Sequence, residues 1–104
     1  MNSYRNRLRR LRLLQFISQA YPELVSDQML LTLAKTDPEL RPTIERVRRS
    51  MQYLSDRGFI AIETKTDAVW MARCLPDGID YLEGDDPEIN GMAHPSDFMK
   101  EVSK

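Results

Sequence analysis

Arginine side chains carry most of the chemistry that this chain offers. A guanidinium group can fork onto phosphate oxygens or onto a guanine edge, and it binds carboxylates equally well. Between residues 41 and 53 several arginines occur with a threonine, a glutamine and a tyrosine, and a lysine follows in a later turn. The candidates for contacts with phosphate and base edges are Arg41, Thr43, Arg46, Arg48, Arg49, Gln52, Tyr53 and Lys65.

Charges are distributed unevenly along the 104 residues. Residues 1–57 contain 11 Lys and Arg against 6 Asp and Glu, whereas residues 58–104 contain 4 against 10. The net charge of −1 therefore combines a basic half with an acidic half. A net charge near zero argues against strong nucleic-acid binding, because phosphate contacts dominate that affinity. The basic half can still present a positive surface.

Residue types that serve in catalysis or metal binding are scarce. The chain has one Cys (Cys74) and one His (His94), which excludes an internal disulfide and a Cys/His zinc site. Its four glycines are scattered, so the sequence contains no glycine-rich phosphate loop. The acidic run at residues 83–88 lacks the spacing of a calcium loop. We predict a protein without enzymatic activity, cofactor or metal, in which Cys74 is a small buried hydrophobe.

Apolar residues at three- and four-residue spacing predict three helices. The first covers residues 4–21 and ends before Pro22. The second covers residues 26–36, with Ser26 or Asp27 as its N-cap. The third covers residues 42–57, begins at Pro42 and stops at Gly58.

The third helix is predicted to have an apolar and a polar face. The apolar face comprises Ile44, Val47, Met51 and Leu54, and the polar face includes Arg46, Arg49, Gln52 and Tyr53, with Arg48 at its flank. Such a polar face either contacts a ligand or is simply solvated. Glu45 and Asp56 share it and would repel phosphate. Tyr53 either contacts DNA or packs on the first helix.

The hydrophobic period changes after Gly58. Residues 59–63 and 68–73 are two β-prone runs around a polar turn at 64–67, which predicts an antiparallel hairpin. Residues 76–83 predict a short closing helix. Residues 84–104 are acidic and poor in large apolar side chains, which predicts a flexible tail beyond a folded domain of residues 1–83.

The order of these elements is that of a winged helix-turn-helix: a three-helix core, a two-stranded wing and a short closing helix. The stretch from Val47 to Leu82 resembles the winged-helix pattern, with Leu54, Gly58, Phe59 and Ile60 marking the end of the third helix and the first strand. Leu75, Gly78 and Leu82 mark the closing helix. The chain is also similar to small winged-helix proteins of Mu-like bacteriophages and prophages. That resemblance implies a phage-related protein in the cytoplasm of a bacterial host.

Two functions remain open on the sequence. The first is duplex DNA binding in a regulatory role. The third helix would enter the major groove, Lys65 of the wing would contact the backbone, and Arg5 or Arg9 would add backbone contacts. The alternative is a protein-interaction or assembly module of the same fold. We also predict a homodimer through the first helix, because its apolar arc is wider than one neighbour requires; that arc comprises Leu8, Leu11, Leu13, Leu14 and Phe16. No segment is apolar enough for a membrane span.

Overall fold

A computed structural model describes residues 3–84 and 86–97. The chain is mainly helical and carries a small three-stranded antiparallel sheet. The elements are α1 (Tyr4–Gln19), β1 (Val25–Ser26), α2 (Asp27–Ala34), a 3-10 turn (Pro38–Leu40), α3 (Ile44–Asp56), β2 (Ile60–Lys65), β3 (Trp70–Cys74) and α4 (Pro76–Leu82). This order is compatible with a winged-helix-like fold. The three helices, the hairpin and the closing helix agree with the sequence prediction, whereas β1 was not predicted.

Side-chain caps set where the helices begin. The hydroxyl of Ser26 accepts a hydrogen bond from the Met29 amide at 3.0 Å, which makes Ser26 the N-cap of α2. Thr43 caps α3 in the same way through the Arg46 amide at 3.1 Å. The prediction that α3 begins at Pro42 was therefore wrong by two residues, because the cap hydroxyl lies one residue after the proline.

The sheet joins the hairpin to the helices. Its strand order is β1–β3–β2, and β1 pairs with β3 through Val25 opposite Ala72. The hairpin turn lies at residues 66–69 rather than 64–67, because β2 continues to Lys65 past a bulge between Ile62 and Thr64. Ala72 and Cys74 of β3 are buried, so the hairpin covers the helices with this face.

Helix α1 is the centre of the core. It contacts α2, α3, α4, β3 and the 3-10 turn, so neighbours surround it on several sides. These contacts cover the wide apolar arc on α1. Leu8, Leu11, Leu13 and Leu14 are all buried, and Phe16 is partly buried against the same core. The argument for a homodimer through surplus apolar surface on this helix was therefore wrong.

The beginning of the predicted tail packs on α1 and α4. Met92, Ala93 and His94 are buried. The hydroxyl of Tyr81 donates to the Ala93 carbonyl at 2.8 Å, and the Ala93 amide donates to the Arg7 carbonyl at 3.2 Å. The expectation of a loose tail was wrong for residues 91–95, and the packed chain continues past residue 83. The part of the predicted tail at residue 85 and residues 98–104 lies outside the described residues.

Candidate nucleic-acid interface

Helix α3 turns the predicted apolar face inward. Val47, Met51 and Leu54 are fully buried, and Ile44 is half-buried at the start of the helix. Ser50 is also buried on the side that faces α1. Arg46 and Arg49 remain exposed. The amphipathic pattern therefore presents these two guanidinium groups outward, as predicted.

Arg48 is bonded to a buried carboxylate of the protein itself. Its Nε donates to Oδ2 of Asp27 at 2.7 Å, and the Asp27 side chain is fully buried. A second bond runs from Arg48 Nη2 to the Asp67 carbonyl at 3.1 Å in the hairpin turn. Arg48 thus ties α3 to α2 and to the hairpin. The prediction of Arg48 as a phosphate contact does not fit this geometry, because binding would leave a buried carboxylate without its cation.

Gln52 and Lys65 form a bridge between α3 and the hairpin. Lys65 Nζ donates to Gln52 Oε1 at 2.6 Å, and Gln52 Nε2 donates to Asp56 Oδ1 at 2.8 Å. The Lys65 ammonium also lies 4.9 Å from the centre of the Trp70 ring. Both predicted contact residues therefore have protein partners, although the bonds are on the surface.

Tyr53 is a packing residue in this structure. The guanidinium of Arg10 lies over its ring at 4.1 Å from the centre, and the backbone of Gly91 lies so close to its hydroxyl that no Cβ fits there. Arg10 also donates from Nη1 to the Gly91 carbonyl at 2.8 Å. Of the two roles open to Tyr53 on the sequence, the structure shows packing on the first helix.

Arg41 and Thr43 shape the entry to α3. Arg41 has a left-handed backbone, with φ 45° and ψ 58°, that turns the chain out of the 3-10 turn. Its carbonyl accepts from Arg46 Nη1 at 2.8 Å. The Arg41 side chain stays exposed, whereas the Thr43 hydroxyl is used as the cap. Arg41 can contact a ligand through its side chain, and Thr43 chiefly positions the helix.

Arginines from three parts of the chain meet between α1 and α3. An inner cavity of about 170 Å³ and an outer cavity of about 220 Å³ lie side by side there. We call this surface the arginine groove; the arginines that line it are Arg5, Arg9, Arg10, Arg41, Arg46 and Arg49. Among the described residues, no carboxylate lines either cavity. The groove therefore concentrates positive charge on a chain whose net charge is −1.

Arg9 forms the buried wall of the arginine groove. Its Nε and Nη2 donate to the Leu40 carbonyl at 2.9 and 2.6 Å, and its Nη1 donates to Asn6 Oδ1 at 2.8 Å. Burial lowers the pKa of the Arg9 guanidinium below its usual value, and the nearby charges of Arg46, Arg5, Arg10 and Arg49 lower it further. These like charges make the groove electrostatically unfavourable when empty and receptive to an anion.

Ion pairs in the described part of the chain lie elsewhere. The two that occur there join Arg48 to Asp27 and Arg73 to Glu63. Sequence reasoning placed Arg46, Arg49 and Arg41 at an open surface and named Arg5 or Arg9 as additional backbone contacts. It did not predict the cavities between α1 and α3, because nothing in the spacing of either helix states how the two pack.

Comparison of the chain with protein-family models, curated proteins and solved structures finds no match. Within residues 3–84 and 86–97, no helix is long and apolar enough to cross a membrane. In the same residues, no group of three or more His, Cys, Asp or Glu side chains is arranged to hold a metal ion.

Proposed function

We propose that this protein is a small winged-helix protein that binds duplex DNA, using the arginine groove for the phosphate backbone and the start of α3 for the major groove. The observation that carries the proposal is the convergence of six arginines on two cavities that no carboxylate of residues 3–84 and 86–97 lines. The resemblance to winged-helix proteins of Mu-like phages supports the winged-helix fold, and we infer from it a phage-related protein inside a bacterial host; a regulatory role is part of the same proposal.

The binding surface differs from the one expected for α3 alone. Glu45 and Asp56 are exposed on α3, and Arg48 is held by Asp27. The α1 side of the helix is more favourable for phosphate, because Arg46 and Arg49 are joined there by arginines of α1. We therefore place the DNA backbone against the α1 side of α3.

Salt dependence tests this proposal quantitatively. Four exposed arginines, Arg5, Arg41, Arg46 and Arg49, are available to neutralise phosphates. If each neutralises one, the logarithm of the binding constant falls with the logarithm of the salt concentration with a slope of about −3.6. Between 50 and 200 mM salt this slope corresponds to a loss of affinity of about 150-fold.

Fluorescence anisotropy with a dumbbell duplex, whose ends are closed by loops, measures this slope without contributions from strand ends. We expect Arg49→Gln to reduce the slope to about −2.7 and Arg46→Gln with Arg49→Gln to reduce it to about −1.8. Arg57→Gln is the matched control, since it removes one exposed charge about 12 Å along α3 from Arg49.

Absence of binding at 50 mM salt would reject the proposal and leave a protein-interaction module as the better hypothesis. An equal effect of Arg57→Gln and Arg49→Gln would show that only the overall charge matters, which also contradicts a defined binding surface.

A further inference from the structure

The inner cavity of the arginine groove has the composition of an anion-binding site. It holds about 170 Å³ between α1 and α3 and is lined by Asn6, Arg9, Arg10, Arg46, Arg49 and Ser50. Every lining side chain can donate hydrogen bonds, and four of them are cationic. A group with several negatively charged oxygens complements such a lining.

Ser50 is the second and independent sign of a ligand. The residue is only 4% exposed, yet no hydrogen bond joins its hydroxyl to another described residue. Wholly buried side-chain nitrogen and oxygen atoms in the described chain all have partners. The Ser50 hydroxyl therefore reaches the inner cavity, where a bound group can satisfy it.

Arg9 supplies a fixed positive wall behind Ser50. Its guanidinium makes three hydrogen bonds with Leu40 and Asn6, and it has five N–H groups in all, so donors remain for a ligand. Because the bonds hold the guanidinium in place, a bound anion does not have to order this side chain. Arg46 and Arg49 are exposed and can close on the anion from the other side.

We propose that the inner cavity binds one phosphate monoester group, and that its source is the 5′-terminal phosphate of a DNA strand. A phosphate monoester carries a charge of about −1.5 to −2 at neutral pH and three strong acceptor oxygens. A phosphodiester inside a strand carries one charge and must leave the cavity through two ester bonds. The monoester therefore matches this recessed, multiply cationic site better. The DNA-end assignment rests on the proposed function, whereas phosphate binding by the cavity does not.

Inorganic phosphate is the first probe. Calorimetric titration of the full chain in chloride buffer of matched ionic strength measures the dissociation constant directly. We expect binding that strengthens between pH 5.5 and 8 as the phosphate becomes a dianion. Ser50→Ala removes one hydrogen bond to a charged group, so it should weaken binding by about tenfold. Arg49→Gln should weaken it further, and Arg57→Gln should leave it unchanged.

Ser50→Ala is also suited to the test because it should fold. Alanine is the best helix former, and the hydroxyl that is removed has no partner among the described residues. The unfolding temperature should therefore be unchanged or slightly higher. A variant with normal unfolding and normal phosphate binding would overturn the cavity site. Absence of phosphate binding by the unmodified protein would do the same.

Hairpin duplexes with a 5′-phosphate or a 5′-hydroxyl, and the closed dumbbell, identify the source. We expect the 5′-phosphate hairpin to bind at least about tenfold more tightly than its hydroxyl counterpart, a difference that Ser50→Ala removes without changing dumbbell binding. Dumbbell binding without a 5′-phosphate preference would reject the DNA-end assignment. Phosphate binding without dumbbell binding would reject the proposed duplex function and keep the cavity.

Discussion

Arg48 and Arg49 are adjacent in the sequence, yet the structure assigns them opposite roles. Arg48 is bonded to the fully buried Asp27 carboxylate, whereas Arg49 is exposed in the arginine groove. We predict that Arg48→Gln lowers stability with little effect on DNA binding, and that Arg49→Gln lowers DNA binding with little effect on stability. The two variants remove the same charge, so each is the control for the other.

The magnitude for Arg48 follows from its partner. After Arg48→Gln, the one partner of the Asp27 carboxylate left among the described residues is the Gln28 amide, which donates at 2.9 Å. Removing one partner of a buried ion pair costs about 3–5 kcal/mol. Arg48 is 22% exposed, so water reaches the pair and the lower end of that range applies. A loss of about 3 kcal/mol corresponds to a fall in Tm of about 12 °C in a domain of this size.

For Arg49→Gln we expect a change in the free energy of unfolding within about 0.5 kcal/mol, as for other exposed positions. Urea unfolding measures the stability of both variants, and dumbbell anisotropy at 10 °C, where both are folded, measures binding. If Arg48→Gln is as stable as Arg49→Gln, the buried ion pair does not hold α3 to α2. If Arg48→Gln weakens DNA binding as much as Arg49→Gln, Arg48 belongs to the interface.

Three further predictions concern the core and the packed C-terminal segment. Burial raises the pKa of the Tyr81 phenol to about 12, so absorbance titration should show one tyrosine ionising late. Because the pKa of Tyr81 is higher in the folded than in the unfolded protein, its contribution to the free energy of unfolding should be fully present below pH 10 and fall by about 2–3 kcal/mol toward pH 12. Ionisation of all four tyrosines near pH 10 would contradict this. Gly78→Ala places a Cβ 2.5 Å from the Phe59 carbonyl oxygen and should cost about 3 kcal/mol by chemical denaturation, against about 1 kcal/mol for Gly58→Ala, which meets only an unfavourable φ of +78°. Deleting residues 89–104 exposes Tyr81 and removes buried Met92, so it should lower stability by about 2 kcal/mol and return the Tyr81 pKa toward 10; an unchanged denaturation midpoint would show that this segment does not stabilise the fold.

Local patterns in the sequence determined the helices, the hairpin and the direction in which α3 faces. Val47, Met51 and Leu54 recur at helical spacing, and burying them forces Arg46 and Arg49 outward whatever the neighbours are. Gly58 ends the helix because its φ of +78° is open to glycine. These are interactions within a few residues, which is why the sequence alone could predict them.

Long-range packing decided which partner each arginine has and therefore which role it takes. Arg9 donates to the Leu40 carbonyl, 31 residues later in the sequence, and Arg48 donates to Asp27, 21 residues earlier. The two-residue strand β1 forms because β3 lies beside it. Residues 91–95 pack because Tyr81, Arg7 and Arg10, which are distant in sequence, bond to Ala93 and Gly91. The composition of a helix face states that its guanidinium groups point outward. Only the arrangement of the helices states which carboxylate, carbonyl or open cavity each of them meets.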